Sequence, residues 1–175
     1  LEALLSIGVV GNTLQRMVAV ASDPAETLER TNSCIWEGAA GEQFADALQI
    51  ALDADTGRVT YSCAGAMMLL VVTPDGIEVL ENISPEIGIM DYGEYENHSH
   101  ILQPGDFLVA ATECGFNLDR NWVDELQAIT SALKPKLTTA KLIASIESIQ
   151  CDHERQRWTT WTENDRAMLV MQYVG

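Results

Sequence analysis

No apolar run in this chain approaches the ~20 residues that a membrane-spanning helix needs. No basic stretch followed by an apolar one has the form of a secretory leader. Cations are scarce: 10 Lys and Arg stand against 26 Asp and Glu, a net charge of −16. Phosphate backbones repel such a surface, which makes nucleic acid and anionic membranes poor partners. A basic protein partner or bound cations suit it, and so does simple solubility. Cysteine is sparse: Cys34, Cys63, Cys114 and Cys151 include no C-x-x-C pair, so zinc ribbons and thioredoxin-type motifs are excluded. Cys34 and Cys63 lie in otherwise apolar segments and are expected to be reduced core residues. A cytoplasmic location follows as the expectation. Internal repeats and low-complexity tracts are missing as well.

What is present is a globular composition, 47% hydrophobic and 21% charged over 175 residues. That length suits one domain, residues 1–175, with a sizeable core. The chain starts at Leu1 rather than Met, and is expected to be a fragment lacking N-terminal strands. In LEALLSIGVVGNTLQRMVAVA, the residues Leu1, Leu4, Leu5, Val9, Leu14 and Val18 suggest a helical stripe. A second helix starts at SDPAETLERTNSCIW, where Asp23 caps, Pro24 fits the first turn and Glu26 follows three residues after the cap. Leu28, Thr31 and Ile35 are then expected to face inward.

The hydrophobic period then changes. QFADALQIALDADTGRVTYSCAGAMMLLVVTPDGIEVLE reads as successive strands with turns at DADTG and TPDG, an antiparallel meander. NHSHILQPGDFLVAAT adds two strands joined by a turn over Gln103 to Asp106. NWVDELQAI and TTAKLIASIESIQ have helical spacing and are separated by Pro135. CDHERQRWTTWTEND is expected to be a loop, and RAMLVMQYV a returning strand. Helices, many strands, helices and one strand suggest an α+β fold with helices packed on antiparallel sheets.

The strand series also carries an ordered set of short motifs. DADTGRVTYSCAGAMMLLV is similar to the D-x-x-T-G-x-L-x-Y-x-N-A-G-H-P-P stretch of the metal-dependent Ser/Thr protein phosphatases. PEIGIM resembles their P-L-G segment, LQPGDFLVAATECG their L-x-P-G-D-x-L-L-L-Y-T-D-G, and ENDRAMLVMQ their closing D-D-x-T-L-L-V. QFADA fits an F-V-T-A strand, and LEALL the start of the helix after the first metal motif. The whole chain thus resembles the PPM (protein phosphatase 2C-like) family, in the bacterial branch of the stage II sporulation (SpoIIE) and sigma-regulator phosphatases. The resemblance implies two packed antiparallel β-sheets flanked by helices, an α-β-β-α sandwich. It also implies two Mn²⁺ or Mg²⁺ ions held by aspartates, with a metal-bound water attacking phosphoserine or phosphothreonine.

Three departures bear on that chemistry. The Gly-Asp-x-Ser-Gly-His-Gly segment with the shared metal Asp belongs upstream of Leu1. The Asp of T-D-G is Glu113, followed by Cys114 where the family has Gly. The first Asp of the closing pair is Asn164, a neutral and weaker ligand, with Asp165 beside it as a substitute that points to the opposite face of a strand. Ala66 stands where the family has His, and Met67-Met68 where it has Pro-Pro. A nucleophilic Cys114 is disfavoured, because the neighbouring carboxylate raises a thiol pKa.

Other residues carry two readings each. His98 and His100 in HSH form either a weak zinc pair or part of a solvated edge strand, the second being favoured. MDYGEYE is an acidic docking loop or a solvated one, again the second. Trp158 and Trp161 are an exposed recognition pair or a cover on the core edge, in equal measure. Met67 and Met68 read as strand packing, and His153 as exposed.

Three functions follow from the resemblance. The first is a pseudophosphatase-like regulatory domain of bacterial signal transduction, of partner-switching or two-component type. It would bind a protein partner, a phosphoprotein regulator or adaptor, with no metal or one weakly held. The second is an active Mn²⁺- or Mg²⁺-dependent serine/threonine phosphatase acting on a phosphorylated regulator. The third is a structural or dimerisation module, a homodimer.

Overall fold

The structure is a computed structural model. It describes residues 2–39, 41–80, 84–112, 120–133, 136–156 and 167–175, excluding the side chains at 2–8, 112, 120–122, 133 and 150–156. The element order is α1 (Glu2–Val18), α2 (Pro24–Ala39), β1 (Ala47–Asp53), β2 (Arg58–Ala64), β3 (Met67–Val72), β4 (Ile77–Val79), β5 (His98–Ile101), β6 (Phe107–Thr112), α3 (Arg120–Leu133), α4 (Thr139–Gln156) and β7 (Met168–Gln172). These form a three-stranded sheet, β1-β2-β5, and a four-stranded sheet, β4-β3-β6-β7. The β1–β2, β2–β5, β3–β4 and β6–β7 pairings are antiparallel. The α+β expectation of helices and two antiparallel sheets is met.

The single meander is corrected. Strands β2 and β3 follow one another in sequence yet lie in different sheets, and so do β5 and β6. At the break after β2 the backbone is bound to other segments. Gly65 takes φ +71 and donates its N–H to Ser84 O at 3.1 Å, and Ala66 N–H donates to Asp46 Oδ1 at 3.1 Å. These bonds fasten the two residues between β2 and β3 to Asp46 and to the segment at Ser84.

Chain contacts divide the molecule into two compact units. The first comprises Leu1–Met67 and Glu81–Ile101. Its core gathers Val10, Ala25, Leu28 and Ile35 from the helices, Ala47 and Ala64 from the strands, and Ile87 and Tyr95 from the segment after β4. The inward face of α2 is as expected, with Leu28, Thr31 and Ile35 buried. Two expectations are corrected. On α1, Leu14 of the expected stripe is partly buried, but Val9 and Val18 are exposed and Val10 is buried instead; Leu1 and the side chains of Leu4 and Leu5 lie outside the described residues. Cys34 is exposed, because it lies off the stripe set by Leu28, Thr31 and Ile35. Cys63 is buried, and burial with Asp46 nearby pushes its thiol up to about 12, which makes it inert.

The N-terminus of α2 has the capping chemistry its sequence suggests. Glu26 N–H donates to Asp23 Oδ1 at 2.9 Å, and Ser22 N–H and Oγ donate to Glu26 Oε2 at 2.7 and 2.6 Å. Asn97 and the Glu26 N–H hold the Asp23 carboxyl below its usual value. Hydrogen bonds from Ser22 first, then Arg30, hold Glu26 at about 2. Both folded pKa values lie below the unfolded ones, so this stabilisation is present above about pH 4.5 and fades as pH falls toward 2. Glu26→Gln is therefore expected to lower thermal stability at pH 6 and to match the parent chain near pH 2; an equal gap at both values would contradict this.

The second unit comprises Met68–Leu80 and Leu102–Gly175. Met68, Leu70 and Val72 of β3 and Phe107, Val109 and Ala111 of β6 cluster with Leu126, Leu142, Ile146 and Ile149 of α3 and α4. Fully burying each large side chain of this kind contributes about 1.5–3 kcal/mol. Met68 is strand packing, as expected. The loop expected at Cys151 onward is corrected, because α4 continues through Gln156. Helical spacing does not register there because the face that continues is polar. Arg157–Arg166, with Trp158 and Trp161, lie outside the described residues, and so does the side chain of His153.

Candidate functional site

The four-stranded sheet organises one end of β6 and β7. The run Phe107–Ala111 is apolar at every position because both faces are buried. Phe107, Val109 and Ala111 join the helix-covered core, and Leu108 and Ala110 are buried on the other face. The strand is started by a β-turn over Gln103 to Asp106. Asp106, nearly fully buried, accepts from Gln103 N–H at 2.7 Å through Oδ2, and Asp106 N–H donates to Gln103 O at 2.9 Å. Gly105 supplies φ +102 between them. The Asp of the P-G-D motif is thus a turn-former.

Strand β6 runs antiparallel to β7 with Phe107 opposite Gln172 and Ala111 opposite Met168. The C-terminal end of β6 and the N-terminal start of β7 are therefore side by side. In sequence, Thr112 of β6 is followed by Glu113 and Cys114, and Asn164 and Asp165 precede β7 by a few residues. Glu113, Cys114, Asn164 and Asp165 themselves lie outside the described residues. Among the described residues, no three His, Cys, Asp or Glu side chains gather as a metal-holding group. No helix among them is long and apolar enough to cross a membrane.

In the first unit, His98 and His100 are half-buried on β5, an edge strand of its sheet, as expected. His98 stacks on Tyr61, with ring centroids 5.4 Å apart. At the position of the family's His, Ala66 is exposed and its N–H is engaged by Asp46. The PEIGIM segment is fastened to α2 by a buried amide. Asn32 Oδ1 accepts from Gly88 N–H at 2.7 Å and from Tyr95 OH at 3.4 Å, and Nδ2 donates to Met90 O at 3.2 Å. Asn97 Oδ1 accepts from Ala25 N–H at 2.9 Å, which ties the far end of the segment to the same helix. Tyr95, in MDYGEYE, is buried, and burial first, then Glu29, pushes its hydroxyl up to about 12. Asn32 as an anchor was not legible in the motifs. Its signal is a polar residue four positions after Leu28 on an otherwise inward face.

A family model described as Stage II sporulation protein E (SpoIIE) matches residues 1–171. A search of curated protein sequences finds no match. Among solved structures, the chain is similar to the SiaA-PP2C domain of Pseudomonas aeruginosa, with TM-score 0.73 and 19% identity over 97% of this chain and 69% of that one. It is also similar to the RsbU and RsbW domains of a Mycobacterium tuberculosis protein, with TM-score 0.74 and 19% identity over 98% of this chain and 49% of that one. The phosphatase domain of the cell fate determinant SpoIIE from Bacillus subtilis gives TM-score 0.60 and 16% identity over 93% of this chain and 71% of that one. A further structure of that domain is described as Mn presoaked. This chain spans about half of the second structure and about seven-tenths of the first and third.

Proposed function

The chain belongs to the stage II sporulation protein E family, and from that premise we propose that it is a phosphatase-like regulatory domain of bacterial signalling, residues 1–175 as one domain, that acts by binding a protein partner and is impaired as a phosphatase. The observation that carries this reading is the donor set in the sequence. Glu113 replaces an Asp and moves its oxygens outward by one methylene, and Asn164 replaces a second Asp with a neutral amide. Mn²⁺ and Mg²⁺ are hard ions that need charged oxygens in a near-octahedral shell. A neutral amide at Asn164 and a carboxylate at Glu113 that stands one methylene further out weaken the charged oxygen shell that a pair of dications needs, whatever the segment before Leu1 adds to it. One weakly held cation at Glu113 is compatible with the set.

A second reading has one observation in its favour: Glu113 and Asp165 both keep a carboxylate. It makes the chain an active Mn²⁺- or Mg²⁺-dependent serine/threonine phosphatase. The partner in either case is a phosphorylated regulator, such as an anti-sigma-factor antagonist, or an adaptor; the structural module is a homodimer and holds neither.

The test uses the chain together with whatever precedes Leu1 in the intact protein, mixed with a phosphoserine anti-sigma-factor antagonist and Mn²⁺. The expected result is a complex in which the phosphate is retained over many hours. Rapid release of inorganic phosphate would favour the active enzyme. A homodimer that ignores the regulator would favour the structural module.

A further inference from the structure

The segment after β4 holds apolar side chains in the open. Ile89 is 47% exposed, Met90 38% and Tyr92 70%, all within four residues. Phe44, 58% exposed, lies on the neighbouring strip of chain. The two strips are joined by the Ala45–Ile87 bridge, with an N–H···O bond of 3.0 Å in each direction. This is a fastened platform. Asn32 holds Gly88 and Met90, Asn97 holds the N-terminus of α2, and Tyr95 is sunk into the core. Clustered large apolar groups held outward on anchored backbone mark interaction surfaces, and tyrosine is among the usual anchors of such surfaces.

The charge around them has one sign. Glu86, Asp91, Glu94 and Glu96 lie in the same segment, which contains no Lys or Arg, and exposed Glu42 precedes Phe44 on the other strip. The whole first unit carries 14 carboxylates against three arginines, Arg16, Arg30 and Arg58. Arg30 is already paired with Glu26. So −11 of the net −16 resides in the unit that bears the exposed apolar groups. A second copy of this chain would bring like charge against like, which is unfavourable.

We propose that Phe44, Ile89, Met90 and Tyr92 form a docking surface for a protein segment that is apolar and basic together, its Lys or Arg residues meeting the carboxylates of Glu42, Asp91, Glu94 and Glu96. This rests on the functional reading only in taking the partner to be a protein. It adds that partner's chemistry.

The experiment is fluorescence anisotropy of a labelled peptide of alternating lysine and leucine, titrated with the chain without metal. Two control peptides replace lysine by glutamate or leucine by serine. The Lys/Leu peptide is expected to bind, less tightly as salt rises, and both controls to bind at least ~10-fold more weakly. Ile89→Ser with Tyr92→Ser is expected to weaken binding at least ~10-fold, and so is Asp91→Asn with Glu94→Gln. These side chains are exposed, so unchanged thermal melting serves as the folding check. Val79→Ser, an exposed substitution in the other unit, is expected to change nothing. Equal binding of the serine control, or full binding by the Ile89/Tyr92 variant, would overturn the proposal. A dimer of the chain alone, broken by the same variant in sedimentation, would overturn it in favour of self-association. Turnover with Mn²⁺ on the same samples judges the functional reading separately: an active enzyme that still binds the peptide contradicts impairment and leaves the surface standing.

Discussion

Gly88→Ala is expected to destabilise the chain by about 3 kcal/mol or more, enough to erase much of the stability of a small domain. Gly88 has φ +82, a conformation that costs an L-residue roughly 1–2 kcal/mol. Space is a second and larger obstacle. An alanine Cβ would stand 2.2 Å from Gln43 O and 2.8 Å from Ile35 Cγ2. The oxygen is backbone beside the Ala45–Ile87 bridge, so it cannot move aside without opening that bridge. Relief by shifting Gly88 would also lengthen its bond to Asn32 Oδ1 and leave a buried amide unpaired, which costs about 1–3 kcal/mol. Gly38→Ala is the control: it sits in α2 with nothing within 4 Å of the new Cβ, and is expected to be neutral or stabilising by up to ~1 kcal/mol. Urea unfolding of both variants checks the pair. Equal midpoints would contradict the packing described for this segment.

The second large effect is on activity. Under the proposed function, restoring aspartate at both altered positions, Glu113→Asp with Asn164→Asp, is expected to raise Mn²⁺-dependent phosphatase turnover by ~100-fold, equivalent to about 2.7 kcal/mol of transition-state stabilisation. The gain comes from charge and reach together. Asn164→Asp adds the missing negative oxygen, and Glu113→Asp draws its carboxylate back by one methylene. Each single change alone is expected to give much less, because a pair of ions needs both ligands. Parallel assays of the parent, the two single variants and the double variant on a phosphoserine peptide read this directly. A double variant no faster than the parent would mean that these substitutions are not what limits turnover.

The fold was legible in the sequence where a local rule and the tertiary environment agree. The cap at Asp23, the inward stripe of Leu28, Thr31 and Ile35, and the turns before Arg58 and Phe107 all follow from nearby residues. The family resemblance implied two sheets, but which strands join which was not legible: the bonds of Gly65 to Ser84 and of Ala66 to Asp46, where β2 and β3 part, link residues some twenty positions apart. On α1, Val9 was chosen because it follows Leu5 by four, whereas the buried Val10 precedes Leu14 by four. For the candidate site, RAMLVMQYV was legible as a strand returning to the sheet; that β7 lies beside β6, with Ala111 opposite Met168, was not. The ligand set at Glu113, Asn164 and Asp165 rests on sequence alone.

Under the proposed function, this chain does not hold the pair of dications that the family resemblance implies. Calorimetric titration with Mn²⁺, on the chain together with whatever precedes Leu1 in the intact protein, tests this. The account predicts no binding, or one weakly held ion with no Mn²⁺-dependent turnover. Two ions bound in the micromolar range, with turnover that rises as they bind, would contradict it.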